Sequence, residues 1–97
     1  MIGRNEPMTD NEIQEIVTRM LHERLNQFGF AQARVKSELD VDGFPLIRVT
    51  ARYENGRVPT NKLIDSLDDI RHELLQQGEE RFVLLDSEPR TGYGRLR

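Results

Sequence analysis

The spacing of apolar residues changes once, between residues 28 and 31, and that change constrains the fold more than any other feature of the chain. Before it, Ile13, Ile16, Val17, Met20, Leu21, Leu25 and Phe28 recur every three or four residues, the period of a helix with one apolar stripe. After it, Ala31, Ala33, Val35, Ser37 and Leu39 alternate with Gln32, Arg34, Lys36, Glu38 and Asp40, the two-residue period of a strand covered on one face. Each element has only one apolar side to bury, so the chain must build layers.

Punctuation along the sequence supplies the boundaries. Thr9-Asp10-Asn11-Glu12 fits a capping box, in which the Thr9 hydroxyl and the Glu12 carboxylate each satisfy an orphaned backbone N–H. Gly29 supplies a left-handed stop, with Phe30 placed to fold back on the last turn. Asp42-Gly43 is a turn, and Phe44 to Tyr53 resumes the alternation, Ile47, Val49, Ala51 and Tyr53 against Leu46, Arg48, Thr50 and Arg52, so the two runs pair as a hairpin. Glu54-Asn55-Gly56-Arg57 turns the chain again. Pro59 or Thr60 then opens a second helix, with Leu63, Ile64, Leu67, Ile70, Leu74 and Leu75 as its apolar face and Gly78 as its end. Phe82-Val83-Leu84-Leu85 is short and wholly apolar, which suits a strand buried beside the hairpin. The expected fold is therefore α+β, an α-β-β-α-β two-layer sandwich with both helices on one face of a three-stranded sheet. Residues 1–8 read as a leader, 9–88 as one domain and 89–97 as a basic tail.

With 97 residues, the chain has the size of one domain. Folding at that size buries roughly 60–70% of the unfolded surface, which directs function to a surface rather than a deep cavity. No cysteine is present, which excludes disulfides, thiolate metal sites, iron–sulfur ligation and cysteine nucleophiles together. The N-terminus has no signal-like apolar core and no apolar run approaches the roughly 18–20 residues of a membrane span, so a cytoplasmic protein without a membrane partner is expected.

Motifs for chemistry are sparse. His22-Glu23 and His72-Glu73 lack a second histidine at the zinc-protease spacing, since residues 26 and 76 are Asn26 and Gln76. Asp65, Asp68, Asp69 and Glu73 read as a solvated helix face, and Asp40-Val41-Asp42-Gly43 as a turn rather than a calcium loop. Ser37, Ser66 and Ser87 lie on no glycine-flanked elbow, and no phosphate-cradling glycine motif occurs. No catalytic residue, metal ligand or cofactor is assigned.

Surface binding is left. If the alternating apolar residues face the helices, Arg34, Lys36, Arg48 and Arg52 share the opposite face with Phe44, Leu46 and Thr50. The order α-β-β-α-β resembles that of type II KH domains and of the ribosome-binding factor A family, a resemblance that implies a sandwich working on RNA. The KH signature G-x-x-G is absent, because Gly56 has no glycine three residues away. Iron–sulfur scaffold domains share a similar order but depend on cysteines. Two expectations follow. The first is a non-catalytic interaction module that binds a protein partner or itself through the open sheet face or a strand edge, using Phe44, Leu46, Arg48, Thr50 and Arg52. The alternative is a nucleic-acid or ribosome-associated binder using Arg34, Lys36, Arg48 and Arg52 with Arg90, Arg95 and Arg97 of the tail. The net charge of −3 becomes −6 on residues 1–89 once those three tail arginines are set aside.

Overall fold

The first helix begins where its cap predicts. In the computed structural model, which describes residues 8–54 and 58–88, Thr9 Oγ1 accepts the Glu12 N–H at 3.1 Å and Glu12 Oε1 accepts the Thr9 N–H at 2.9 Å. The helix, α1, runs Asp10–Leu25 and buries Ile13, Val17, Met20, Leu21 and Leu25. The expected helical continuation to Phe28 is instead a single 3-10 turn over Asn26–Phe28, closed by Gly29 at φ 81°. That left-handed angle is costly for any residue with a Cβ.

Strand β1 (Phe30–Leu39) pairs antiparallel with β2 (Pro45–Tyr53). Register slips between Phe30 and Gln32, leaving Ala31 as an extra residue. The strict alternation placed Ala31 on the covered face. The slip turns it to solvent and brings in Phe30, which packs edge-on against Tyr53 with ring centroids 6.1 Å apart. A buried aromatic pair outweighs a buried methyl, so the strand departs from its own pattern at its first residue. At the other end the Asp40 carboxylate accepts the N–H groups of Asp42 and Phe44 at 2.8 and 2.9 Å, and Gly43 takes φ 87°. Asp40 thus builds the turn.

Helix α2 (Thr60–Gln76) buries Ser66, Ile70 and Leu74, with Leu63 and Leu67 half-buried. Ile64 and Leu75, expected on the apolar face, are 53% and 57% exposed. At about 100° per residue, positions 63, 66, 67, 70 and 74 fall in one continuous arc, whereas 64 and 75 lie to its side. The small Ser66 takes the inward place, beside a shallow recess that it lines with Leu25 of α1.

Strand β3 (Phe82–Glu88) pairs parallel with β2, giving the sheet order β1-β2-β3 with β2 in the centre. The crossover through α2 supplies the length a parallel connection needs. The strand is longer than its apolar run, continuing through Asp86, Ser87 and Glu88. Val83 and Leu85 face the helices, and Phe82 and Leu84 face away. Ala33, Ile47, Val49, Ala51, Tyr53 and Val83 form the sheet side of the core under both helices. Met8, which the sequence reading gave to the leader, is 5% exposed and belongs to that core. Among the described residues no helix is long and apolar enough to cross a membrane.

Candidate functional site: the outer sheet face

Strand pairing fixes which side chains share the face turned away from the helices. Four rows cross the sheet: Glu38, Leu46, Phe82; then Lys36, Arg48, Leu84; then Arg34, Thr50, Asp86; then Gln32, Arg52, Glu88. Arg34, Lys36, Arg48 and Arg52 are thus brought together, as the alternation predicts. The sequence reading missed what β3 adds. With Asp86 and Glu88 alongside Glu38, the face holds four cations against three carboxylates, a net charge of +1.

Those charges pair across strands. Arg48 sits between two acids, its Nε 3.0 Å from Glu38 Oε1 and its Nη1 2.6 Å from Asp86 Oδ2. Hydrogen bonding to Glu38 and then Asp86 raises its pKa above the usual arginine value. Arg34 lies 3.7 Å from Glu88, and Arg52 Nη2 donates to Gln32 Oε1 at 3.2 Å.

The hairpin end of the same face is apolar. Phe44 is 66% exposed and Phe82 55%, while Leu46, in the same sheet row as Phe82, is only 7% exposed. Leu46 was expected as an exposed contact residue. Its place in the central strand, flanked by Glu38 and Phe82, buries it instead. Leu39 and Val41, at 69% and 100% exposed, extend the apolar character around the hairpin. Arg71 of α2 reaches round the β3 edge, its guanidinium 4.7 Å from the Phe82 ring centroid.

Side chains from the helices engage backbone at both sheet edges. Gln14 Oε1 accepts the Val35 N–H of β1 at 3.0 Å, and Arg71 Nη2 donates to the Val83 carbonyl of β3 at 3.1 Å. Such contacts occupy groups that an added strand would use.

The other candidates disperse. His22 lies in an open groove of about 710 Å³ along α1 with Asn11, Gln14, Thr18 and Phe30. His72 shares a 3.1 Å hydrogen bond with Gln76. Asp69 pairs with Arg24 of α1 at 3.0 Å, Glu73 accepts from Gln77, and Asp65 and Asp68 are exposed. Among the described residues no group of three or more His, Asp or Glu side chains could hold a metal ion. Arg90, Arg95 and Arg97 lie outside the described residues, as do positions 55–57 of the predicted turn.

One polar cluster had no forecast. Glu79 and Arg81, in the α2–β3 connection, form an ion pair with Nε–Oε2 2.8 Å, and the Glu79 side chain is only 2% exposed. Glu79 also accepts the Met8 N–H at 3.0 Å and the Arg81 N–H at 3.0 Å. Arg81 donates further to the Met8 carbonyl at 3.0 Å and to Ser37 Oγ at 2.9 Å. Burial alone would raise the Glu79 pKa. The Arg81 side chain, the two backbone N–H groups and the Arg81 charge together outweigh it and hold the carboxyl below its usual value. This cluster ties the entry of α1 to β1 and to the start of β3, and every polar group in it faces another, so it serves the fold.

No protein-family description matches the chain, and no curated protein matches it in sequence. Solved structures do. A structure from work on the mode of action of CzrB, described as a candidate zinc transporter, is similar at 15% identity and TM-score 0.52, covering 87% of this chain and 99% of that one. The zinc form of CzrB is similar at 16% identity and TM-score 0.53, covering 95% and 100%. At such identity the likeness is one of fold.

Proposed function

We propose that this chain is a non-catalytic interaction module of the cytoplasm that binds protein through the hairpin end of its outer sheet face. One observation carries the reading: Phe82 stands exposed at one end of the face that the helices leave uncovered, in the same sheet row as the buried Leu46, and Phe44 stands exposed in the turn that leads into β2. Exposed aromatics grouped beside a charged rim are the make-up of protein contact surfaces. The face is favoured over the edges, because Gln14 and Arg71 already occupy edge backbone groups. The contact set becomes Phe44, Phe82, Leu84, Arg48, Thr50 and Arg52, with Leu46 as the support beneath them.

Nucleic-acid binding has less support. A phosphate backbone rewards unpaired cations, and Arg48, central to the face, is engaged by Glu38 and Asp86. Zinc is not carried over from CzrB, because the described side chains offer no ligand cluster.

A photo-reactive phenylalanine analogue placed at position 44, and separately at the exposed Ile64 on α2, tests the proposal in living cells. Protein adducts should form at position 44, disappear when Phe82→Asp is added, and be absent at position 64. Equal labelling at both positions, or none at 44, would overturn it.

A further inference from the structure

We infer that residues 1–7 of this chain seat Ile2 in the small apolar recess between the end of α2 and the start of β3. Met8, the first described residue, sets their direction. Its carbonyl accepts from Arg81 Nη2 at 3.0 Å, and Arg81 Nη1 donates to Ser37 Oγ of β1, which itself donates to Asp10 at the start of α1. Its N–H donates to Glu79 Oε1 at 3.0 Å. Traced backwards from α1, the backbone therefore passes from Ser37 to Glu79, and residues 1–7 lead off from the Glu79 end.

Glu79 and Arg81 also line a recess of about 160 Å³, together with the buried Leu74 and Val83 and the exposed Leu75 and Phe82. Residues 1–7 thus begin at its edge. A recess of that size takes one side chain, since an apolar cavity of roughly 150 Å³ holds a single benzene. In Met1-Ile2-Gly3-Arg4-Asn5-Glu6-Pro7 the apolar side chains besides Pro7 are Met1 and Ile2. Ile2 lies six positions before Met8, an extended reach of roughly 20 Å. Fixing a branched isoleucine also costs less side-chain entropy than fixing a methionine. The rim carries Arg71, which has no carboxylate partner among the described residues, and the exposed Glu80. The segment brings one charge of each sign, Arg4 and Glu6, so it meets no net repulsion there.

Tethering selects this occupant over a separate ligand. One buried side chain holds a free peptide only weakly, whereas a short tether sets an effective concentration in the millimolar range. The attached segment therefore outcompetes a free peptide that makes the same contact. Docked there, it covers the recess side of Phe82 and leaves the outer face open, so the contact is independent of the interaction reading above.

A photo-reactive phenylalanine analogue in place of Leu75 tests the docking in the purified full chain, mixed in equal parts from isotopically heavy and light protein. After irradiation and digestion, position 75 should be joined to residues 1–4, in peptide pairs that are wholly heavy or wholly light. Ile2→Asp should abolish the adduct. The same analogue at Ile64, exposed on α2 but outside the recess, should give none. Absence of the adduct, its persistence in Ile2→Asp, or equal labelling from position 64 overturns the docking. Mixed heavy and light pairs overturn the intramolecular contact and assign the segment to a second copy. The adduct at position 44, on which the interaction reading depends, is unaffected by any of these results.

Discussion

Arginine meets carboxylates at two places in this molecule, and the two places differ in what surrounds them. At the α2–β3 connection the Arg81 side chain is 15% exposed and Glu79 2%. On the outer face Arg48 is 35% exposed, Glu38 27% and Asp86 51%. Inside, loss of one partner strands the other, because Glu79 has given up water for the N–H groups of Met8 and Arg81. Outside, water and salt screen the pair and re-solvate whatever is left. The same chemistry therefore locks the fold in one region and in the other decides only what can approach.

Substitution of the two arginines sharpens or breaks that contrast. Arg81→Ala should lower unfolding free energy in urea by about 3–5 kcal/mol, the cost of an uncompensated buried charge. A loss below about 1 kcal/mol would reduce the pair to the rank of a surface bridge. The next effect is acid sensitivity. The folded Glu79 pKa lies below its unfolded value, so the carboxylate stabilises the protein above the unfolded value of about 4.3 and that contribution disappears as pH falls through the folded value. A urea series across that acid range should show a slope that Glu79→Gln flattens. The smallest effect belongs to Arg48→Ala, which should leave the unfolding midpoint within experimental scatter at moderate salt. A shift comparable to that of Arg81→Ala would erase the distinction.

Much of this architecture is local and was legible. Thr9, Glu12 and Gly29 act within a few residues of themselves, and the change of period at residues 28–31 reports which face of each element is covered. The departures come from contacts between distant residues. Phe30 enters the core at the expense of Ala31 only because Tyr53 waits across the hairpin. Glu79 and Met8 are 71 positions apart, and nothing in Gly78-Glu79-Glu80-Arg81 distinguishes a buried pair from a solvated loop. The outer face was half legible. Its cations follow from alternation in the hairpin, but reading the last strand only to Leu85 left out Asp86 and Glu88, and their parallel register beside β2 turns a basic patch into a nearly neutral one. Burial of Leu46 likewise depends on β2 being central, which sheet order decides and sequence does not.

The central claim is that the hairpin end of the outer face serves binding rather than folding, and thermal unfolding of the dilute unmodified protein and of Phe44→Asp tests it most directly, because a substitution at an exposed side chain that packs on nothing changes the stability of the free chain by about 0.5 kcal/mol or less. Phe44→Asp should match the midpoint of the dilute unmodified protein. A midpoint for Phe44→Asp that falls well below the dilute unmodified protein would make Phe44 part of the chain's own packing and contradict the account.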